Sequence, residues 1–199
     1  MKKILLSLVL AGLGITISAQ KSIDQKVTEL MAKMTLEEKI GQLNQYNDDI
    51  TATGPITKDA DKAGQVRAGK LGSILNAVGT KNTKNWQDQA MQSRLKIPLL
   101  FGQDVIHGFR TTFPIPLGET ATWDMNLIEK SARIAATEAS AYGIHWTFAP
   151  MVDIGRDPRW GRVMEGAGED TYLGTLVGKA RVKGFQGNGL GNKDAVMAC

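Results

Sequence analysis

The chain has 199 residues, 42% of them hydrophobic and 22% charged, which excludes a disordered or fibrous polypeptide and suits one soluble domain or part of a larger one. Lysines and arginines number 24 against 20 acidic residues, and two of the basic ones, Lys2 and Lys3, sit in a leader-like segment. The remaining excess is too small to indicate a nucleic-acid or anionic-membrane partner.

The first twenty residues, MKKILLSLVLAGLGITISAQ, combine a basic start, an apolar run from Ile4 to Ile17 and a small residue at Ala19. That order predicts a secretory signal peptide over residues 1–19, export to the periplasm or beyond, and no membrane anchor after cleavage. The apolar run is short and interrupted by Gly12 and Gly14, which weighs against a spanning helix. The single cysteine is Cys199. It excludes an intrachain disulfide framework and indicates neither a metal site nor a nucleophile.

Residues 20–70 read as an N-terminal helical segment. Ile23, Val27, Leu30, Met31 and Met34 recur every three or four positions, the spacing of an amphipathic helix. Thr35 and Glu38 have the spacing of a capping box that restarts a helix over 35–43, and YNDDITATGPITKDADKAG (46–64) reads as a polar loop. From residue 71 onward strands and helices alternate. LGSILNA (71–77) predicts a strand, TKNWQDQAMQSRLK (83–96) a helix, and IPLLFGQDV (97–105) a second strand. Asp124 is the natural N-cap of a helix that Gly143 ends. IHWTFAP (144–150) predicts a third strand, Asp170 caps the next helix, and DAVMAC (194–199) starts a fourth strand.

Apolar strands alternating with helices define an α/β fold with a parallel sheet. An open doubly wound nucleotide-binding sheet calls for a Gly-rich turn after its first strand, and VGTKNTK offers neither GxGxxG nor GxxxxGK[ST]. A (β/α)8 TIM-type barrel is therefore the favoured reading over residues 71–199. With about four strands, only the N-terminal half of such a barrel is accounted for.

Barrel chemistry sits in the loops after the carboxyl ends of strands. Two stretches meet that condition. In FGQDVIHG, Asp104 closes the second strand, with His107 and Arg110 following. An unpaired carboxylate there either pairs with a loop arginine or takes hydrogen bonds from the vicinal hydroxyls of a sugar. In APMVDIGRDPRWGRVMEGAGED (149–170) a strand end runs into Asp153, Arg156, Asp157, Arg159, Trp160, Arg162 and Glu165. An Asp-Pro-Arg turn allows one arginine to clamp a carboxylate, so most of these charges are expected to neutralise one another. Arg162 lies beyond that turn, and its planar fork suits sugar hydroxyls or a carboxylate. Trp160 either stacks on a sugar ring or plugs the barrel mouth. Two histidines 38 positions apart without cysteine partners make no metal set, no cofactor motif is present, and no GxSxG elbow exists.

GQDVIHGFRTTFPIPLG followed by WDMNLIEKSARIAATEASAYGIHWTFAPMVDIGRDPRWGRVMEGAGED resembles the N-terminal domain of glycoside hydrolase family 3, in its bacterial periplasmic β-glucosidase type. The resemblance runs from about Ile23 to the last residue. It implies a barrel with a site for a terminal sugar, and a retaining mechanism in which an aspartate attacks the anomeric carbon and a glutamic acid protonates the leaving oxygen. In the family both groups come from later positions, so no catalytic residue is expected in this span, and the short chain alone is expected to be inactive. By the same resemblance Asp104 and Arg162 bind the terminal sugar and Glu165 supports Arg162. Trp160 and His107 are supporting candidates from the reading of the residues alone, His107 being either a structural histidine or a proton shuttle. The expected partner is an oligosaccharide or β-glucoside, with a β-xyloside as the nearest alternative. A non-catalytic sugar-binding remnant is the competing reading. Oligomeric state is left open.

Overall fold

The computed structural model describes residues 21–48 and 61–199. The leader predicted over 1–19 lies outside the described residues, as do positions 49–60 of the stretch read as a loop. The chain divides between Met34 and Thr35 into two compact units.

The first unit contributes one helix, α1 (Ile23–Lys33). A capping box starts it: Gln25 N donates to Ser22 Oγ at 3.2 Å and Ser22 N to Gln25 Oε1 at 3.1 Å. Ile23, Val27 and Met31 form its apolar stripe, and all three are exposed.

The second unit is an α/β layer structure. Its helices are α2 (Leu36–Gln42), α3 (Lys62–Arg67), α4 (Thr80–Ala90), α5 (Pro116–Thr120), α6 (Met125–Ala141) and α7 (Thr171–Gln186). Its strands are β1 (Gln45–Asn47), β2 (Ser73–Leu75), β3 (Leu100–Gln103), β4 (Trp146–Thr147) and β5 (Met197–Ala198). The sheet has five strands in the order β1-β2-β3-β4-β5, all parallel. A doubly wound sheet reverses its strand order at a switch point. This one advances by one neighbour at every step, the winding of a (β/α)8 barrel in progress.

Five strands correct the expected four. The additional one, Gln45–Asn47, falls in a stretch read as the end of a helix and the start of a loop. It lacks the apolar run that marks the other strands, because two of its three side chains are amides. The helix expected over 83–96 instead occupies Thr80–Ala90. It begins at Gly79, whose φ of 94° is open to glycine, and stops where Ser93 Oγ donates to the Ala90 carbonyl at 2.7 Å. Asp124 caps α6 through hydrogen bonds from Asn126 N and Leu127 N, and Asp170 caps α7 through Leu173 N.

One sheet face packs against the helices. Ile74, Phe101, Val105, Ile144 and Val196 meet the alanine face of α6 (Ala132, Ala135, Ala136, Ala139) and Phe185 of α7 in one buried cluster. Small residues bring α6 and α7 close together: a Cβ added at Gly184 would stand 2.4 Å from the Glu129 carbonyl oxygen. The opposite face gathers Gln45, Ser73, Gly102 and Phe148. Gln45 Nε2 donates to Ser73 Oγ at 3.1 Å. A Cβ on Gly102 would meet the Phe148 ring at 3.0 Å, so glycine is what lets that ring cross the strand. Alternation along β3 puts Asp104, two residues beyond Gly102, on this same face.

Candidate functional site

Asp104 follows the last residue of β3. Among the described residues its carboxylate accepts no hydrogen bond and enters no ion pair, although Arg162 stands near enough for its charge to act on it. The protein around the side chain desolvates it and raises its pKa above the ordinary aspartate value; Arg162 opposes the shift and Glu165 adds to it. The carboxylate is thus exposed at its tip, crowded behind and unmatched. Among the described residues no loop arginine is paired with Asp104.

Arg162 has a partner of its own. Its Nε and Nη2 reach Glu165 Oε1 and Oε2 at 3.0 and 2.7 Å, a bidentate clamp across the start of the 3₁₀ turn Val163–Glu165. These bonds, chiefly, hold the Glu165 carboxyl below the ordinary glutamate value. The guanidinium also feels Asp104 and Asp153. Two acids and one more carboxylate therefore surround one half-exposed arginine, which closes on only one of them.

The Asp-Pro-Arg turn closes its own clamp, as expected, while Asp153 and Arg156 form no ion pair among the described residues. Arg159 grips Asp157 through Nε at 3.0 Å and Nη2 at 2.6 Å, while Arg159 N donates to the same carboxylate at 2.9 Å. Both side chains face solvent, so this clamp shapes the turn and stays out of the cleft. Trp160 is partly buried, and its backbone N donates to the Asp157 carbonyl at 3.1 Å. It makes no ring contact among the described residues.

His107 is fixed from two sides. Its Nδ1 lies 3.0 Å from the Phe113 carbonyl, and Phe113 N donates to the His107 carbonyl at 2.8 Å. A carbonyl can only accept, so Nδ1 carries the proton, and Nε2 is the nitrogen left to interact elsewhere. His107 also lies near enough to the Glu165 carboxylate to act on it electrostatically. Glu138 of α6 holds the same loop from outside, accepting from Arg110 N and Thr111 N at 2.8 Å each and from Thr111 Oγ1 at 2.6 Å. The loop can turn so tightly because Gly108 has φ 108°, and a Cβ there would collide with the Thr111 carbonyl at 1.9 Å.

Beneath the loop lies a pair that sequence reading missed. Arg181 of α7 and Glu119 of α5 are 3% and 7% exposed, and Arg181 Nη1 donates to Glu119 Oε2 at 2.6 Å. Burial lowers the Arg181 pKa, and the glutamate opposes that shift. The two residues are 62 positions apart on helices whose other charges face water, so nothing local marks them. Among the described residues no group of three or more His, Cys, Asp and Glu side chains is arranged to hold a metal ion.

A parallel sheet winding in one direction, with an acid and a guanidinium in the loops beyond its carboxyl ends, has the form of the opening strands of a (β/α) barrel. The chain belongs to glycoside hydrolase family 3: residues 35–198 match the Glycosyl hydrolase family 3 N terminal domain. It is 43% identical over 175 residues to the periplasmic beta-glucosidase of Salmonella typhimurium, an alignment covering 87% of this chain and 22% of that protein. It is 34% identical to the lysosomal beta glucosidase of Dictyostelium discoideum, covering 82% of this chain and 23% of that one. Its fold superposes on a beta-glucosidase from Listeria innocua solved in complex with isofagomine, with a TM-score of 0.80 and 39% identity, over 90% of this chain and 25% of that structure. The chain thus spans about a quarter of the length of these proteins.

Proposed function

We propose that this chain is the sugar-binding opening of a retaining, exo-acting β-glucosidase that is exported to the periplasm or secreted, and that releases terminal non-reducing β-D-glucosyl residues from oligosaccharides. One observation carries the reading. At the carboxyl end of β3 the Asp104 carboxylate is unmatched, while the adjacent guanidinium of Arg162 is held off by Glu165. A carboxylate in that condition accepts two hydrogen bonds from vicinal hydroxyls, and the fork of Arg162 donates to the same ring. Such contacts tighten as the ring flattens toward an oxocarbenium-like transition state, so they act on rate as well as on binding. The beta-glucosidase relatives of both bacterial and eukaryotic origin support the substrate class, and the periplasmic relative supports the export reading. The nucleophile and the acid/base are assigned to the part of the full-length protein beyond these residues. Asp104 and Arg162 bind and position; the bond-breaking pair acts on what they hold.

The test uses the full-length protein with chromogenic β-glucoside and β-xyloside. Expected results are faster turnover of the glucoside, competition by glucose, and a first-formed product that keeps the β configuration by NMR. Faster turnover of the xyloside moves the assignment to a β-xylosidase. Turnover of neither substrate, with no protection by glucose, refutes the reading.

A further inference from the structure

The buried Arg181–Glu119 pair does something that packing alone does not require. Its second amine, Arg181 Nη2, donates to the backbone carbonyl of Ile106. Ile106 lies two residues beyond Asp104 and immediately before His107, inside the loop that carries both. The remaining donor, Arg181 Nε, is buried without a partner, and the guanidinium lies over Phe185, 5.7 Å from its centroid. Three elements therefore converge on one side chain: α7 supplies the arginine, α5 the counter-charge, and the β3–α5 loop the carbonyl.

We propose that Arg181, oriented by Glu119, is a positioning residue that sets the height and direction of the Asp104–His107 loop for sugar binding. This rests on the reading of Asp104 given above. A buried ion pair is a poor way to stabilise a fold, because desolvating both charges offsets their attraction and an apolar pair of the same volume does as well or better. The orphaned Nε adds to that cost. What an apolar pair cannot supply is a donor aimed at the Ile106 carbonyl. Without it the loop keeps its outer anchors, Glu138 and the Phe113 contacts, and the Val105 N–Thr147 Oγ1 bond at its start, and loses its hold at Ile106. Asp104 and His107 flank that 105–106 stretch.

The experiment compares the full-length wild type with Arg181→Met and with the double variant Arg181→Met/Glu119→Leu, reading Tm, KM for a β-glucoside and inhibition by glucose. Arg181→Met strands Glu119 as a lone buried carboxylate, so it lowers Tm and weakens glucose binding together. The double variant removes both charges and brings Tm back to the wild-type value or above it. Its KM and its glucose inhibition constant stay raised by about tenfold or more, because the loop is misplaced. KM is independent of the fraction of molecules folded, whereas apparent kcat scales with it, so the split separates a shifted site from lost protein. A double variant with wild-type Tm and wild-type KM overturns the role of Arg181 and leaves the sugar site standing. A wild type that binds no glucose and turns over no glucoside overturns both.

Discussion

Replacing Asp104 with asparagine separates binding from folding. The substitution keeps the shape and one acceptor oxygen but removes the charge. Hydrogen bonds to an ionised group contribute about 1.5–3 kcal/mol each, and a bond to a neutral amide oxygen about 1 kcal/mol. Two hydroxyls moved from a carboxylate to a single amide oxygen, with one bond retained, therefore lose about 2–5 kcal/mol, a drop of roughly thirtyfold to a few thousandfold in kcat/KM. Nothing else in the fold leans on this carboxylate, because it accepts no hydrogen bond among the described residues and Arg162 is engaged with Glu165. Stability is expected to move the other way. The folded pKa of Asp104 is raised by desolvation, so the folded state holds its proton more tightly than the unfolded one. Stability contributed by that proton is present below the unfolded value of about 3.9 and is lost as pH rises through the raised folded value. At neutral pH the charge is a net cost to folding, and Asp104→Asn leaves Tm unchanged or slightly higher. The assay is kcat/KM for a chromogenic β-glucoside against pH, with Tm from calorimetry at pH 7. In the wild type the acid limb includes the raised Asp104 pKa; in the variant that contribution disappears. An unchanged kcat/KM, or a fall in activity matched by a fall in Tm, refutes the reasoning.

Glu165→Gln frees the Arg162 fork from its clamp and removes the negative charge that helps raise the Asp104 pKa. Arg162 then closes on Asp104, so KM rises by about tenfold and the acid limb moves to lower pH; unaltered KM and pH profile would show that Glu165 does not restrain the arginine. Gly184→Ala pushes a methyl to 2.4 Å from the Glu129 carbonyl and 2.6 Å from Ala132 Cβ, where α6 meets α7. Overpacking of about 1–3 kcal/mol lowers Tm by about 3–10 °C. Gly174→Ala on the same helix, with nothing within 4 Å of the added carbon, leaves Tm unchanged or raises it. Equal Tm values for the two variants would discard the close-approach argument.

Much of the architecture was legible in the order of residues. Asp124 and Asp170 announce their helices because an N-cap is a local device, satisfied by amides two or three positions away. Strands β2 to β5 are legible because they lie in short, largely apolar runs between turn residues. Asp104 stands out because a strong hydrogen-bonding group at a strand carboxyl end breaks an apolar pattern, and Arg162 because it lies beyond the Asp-Pro-Arg turn in a loop dense with charge. Strand β1 was not legible, since its Gln45 faces the inside of the sheet and is paired with Ser73, 28 positions away. The clamp within the Asp-Pro-Arg turn was legible because it is local; the exact partners of the other charges were not. A composition of acids and arginines does not say that Arg162 closes on Glu165 and spares Asp104, or that Arg181 crosses 62 positions to Glu119 and 75 to the Ile106 carbonyl. Capping and alternation act over a few residues and are written into neighbours. Long-range pairing exists only once helices and loops have packed, because it is desolvation in that packed state that selects one partner over another.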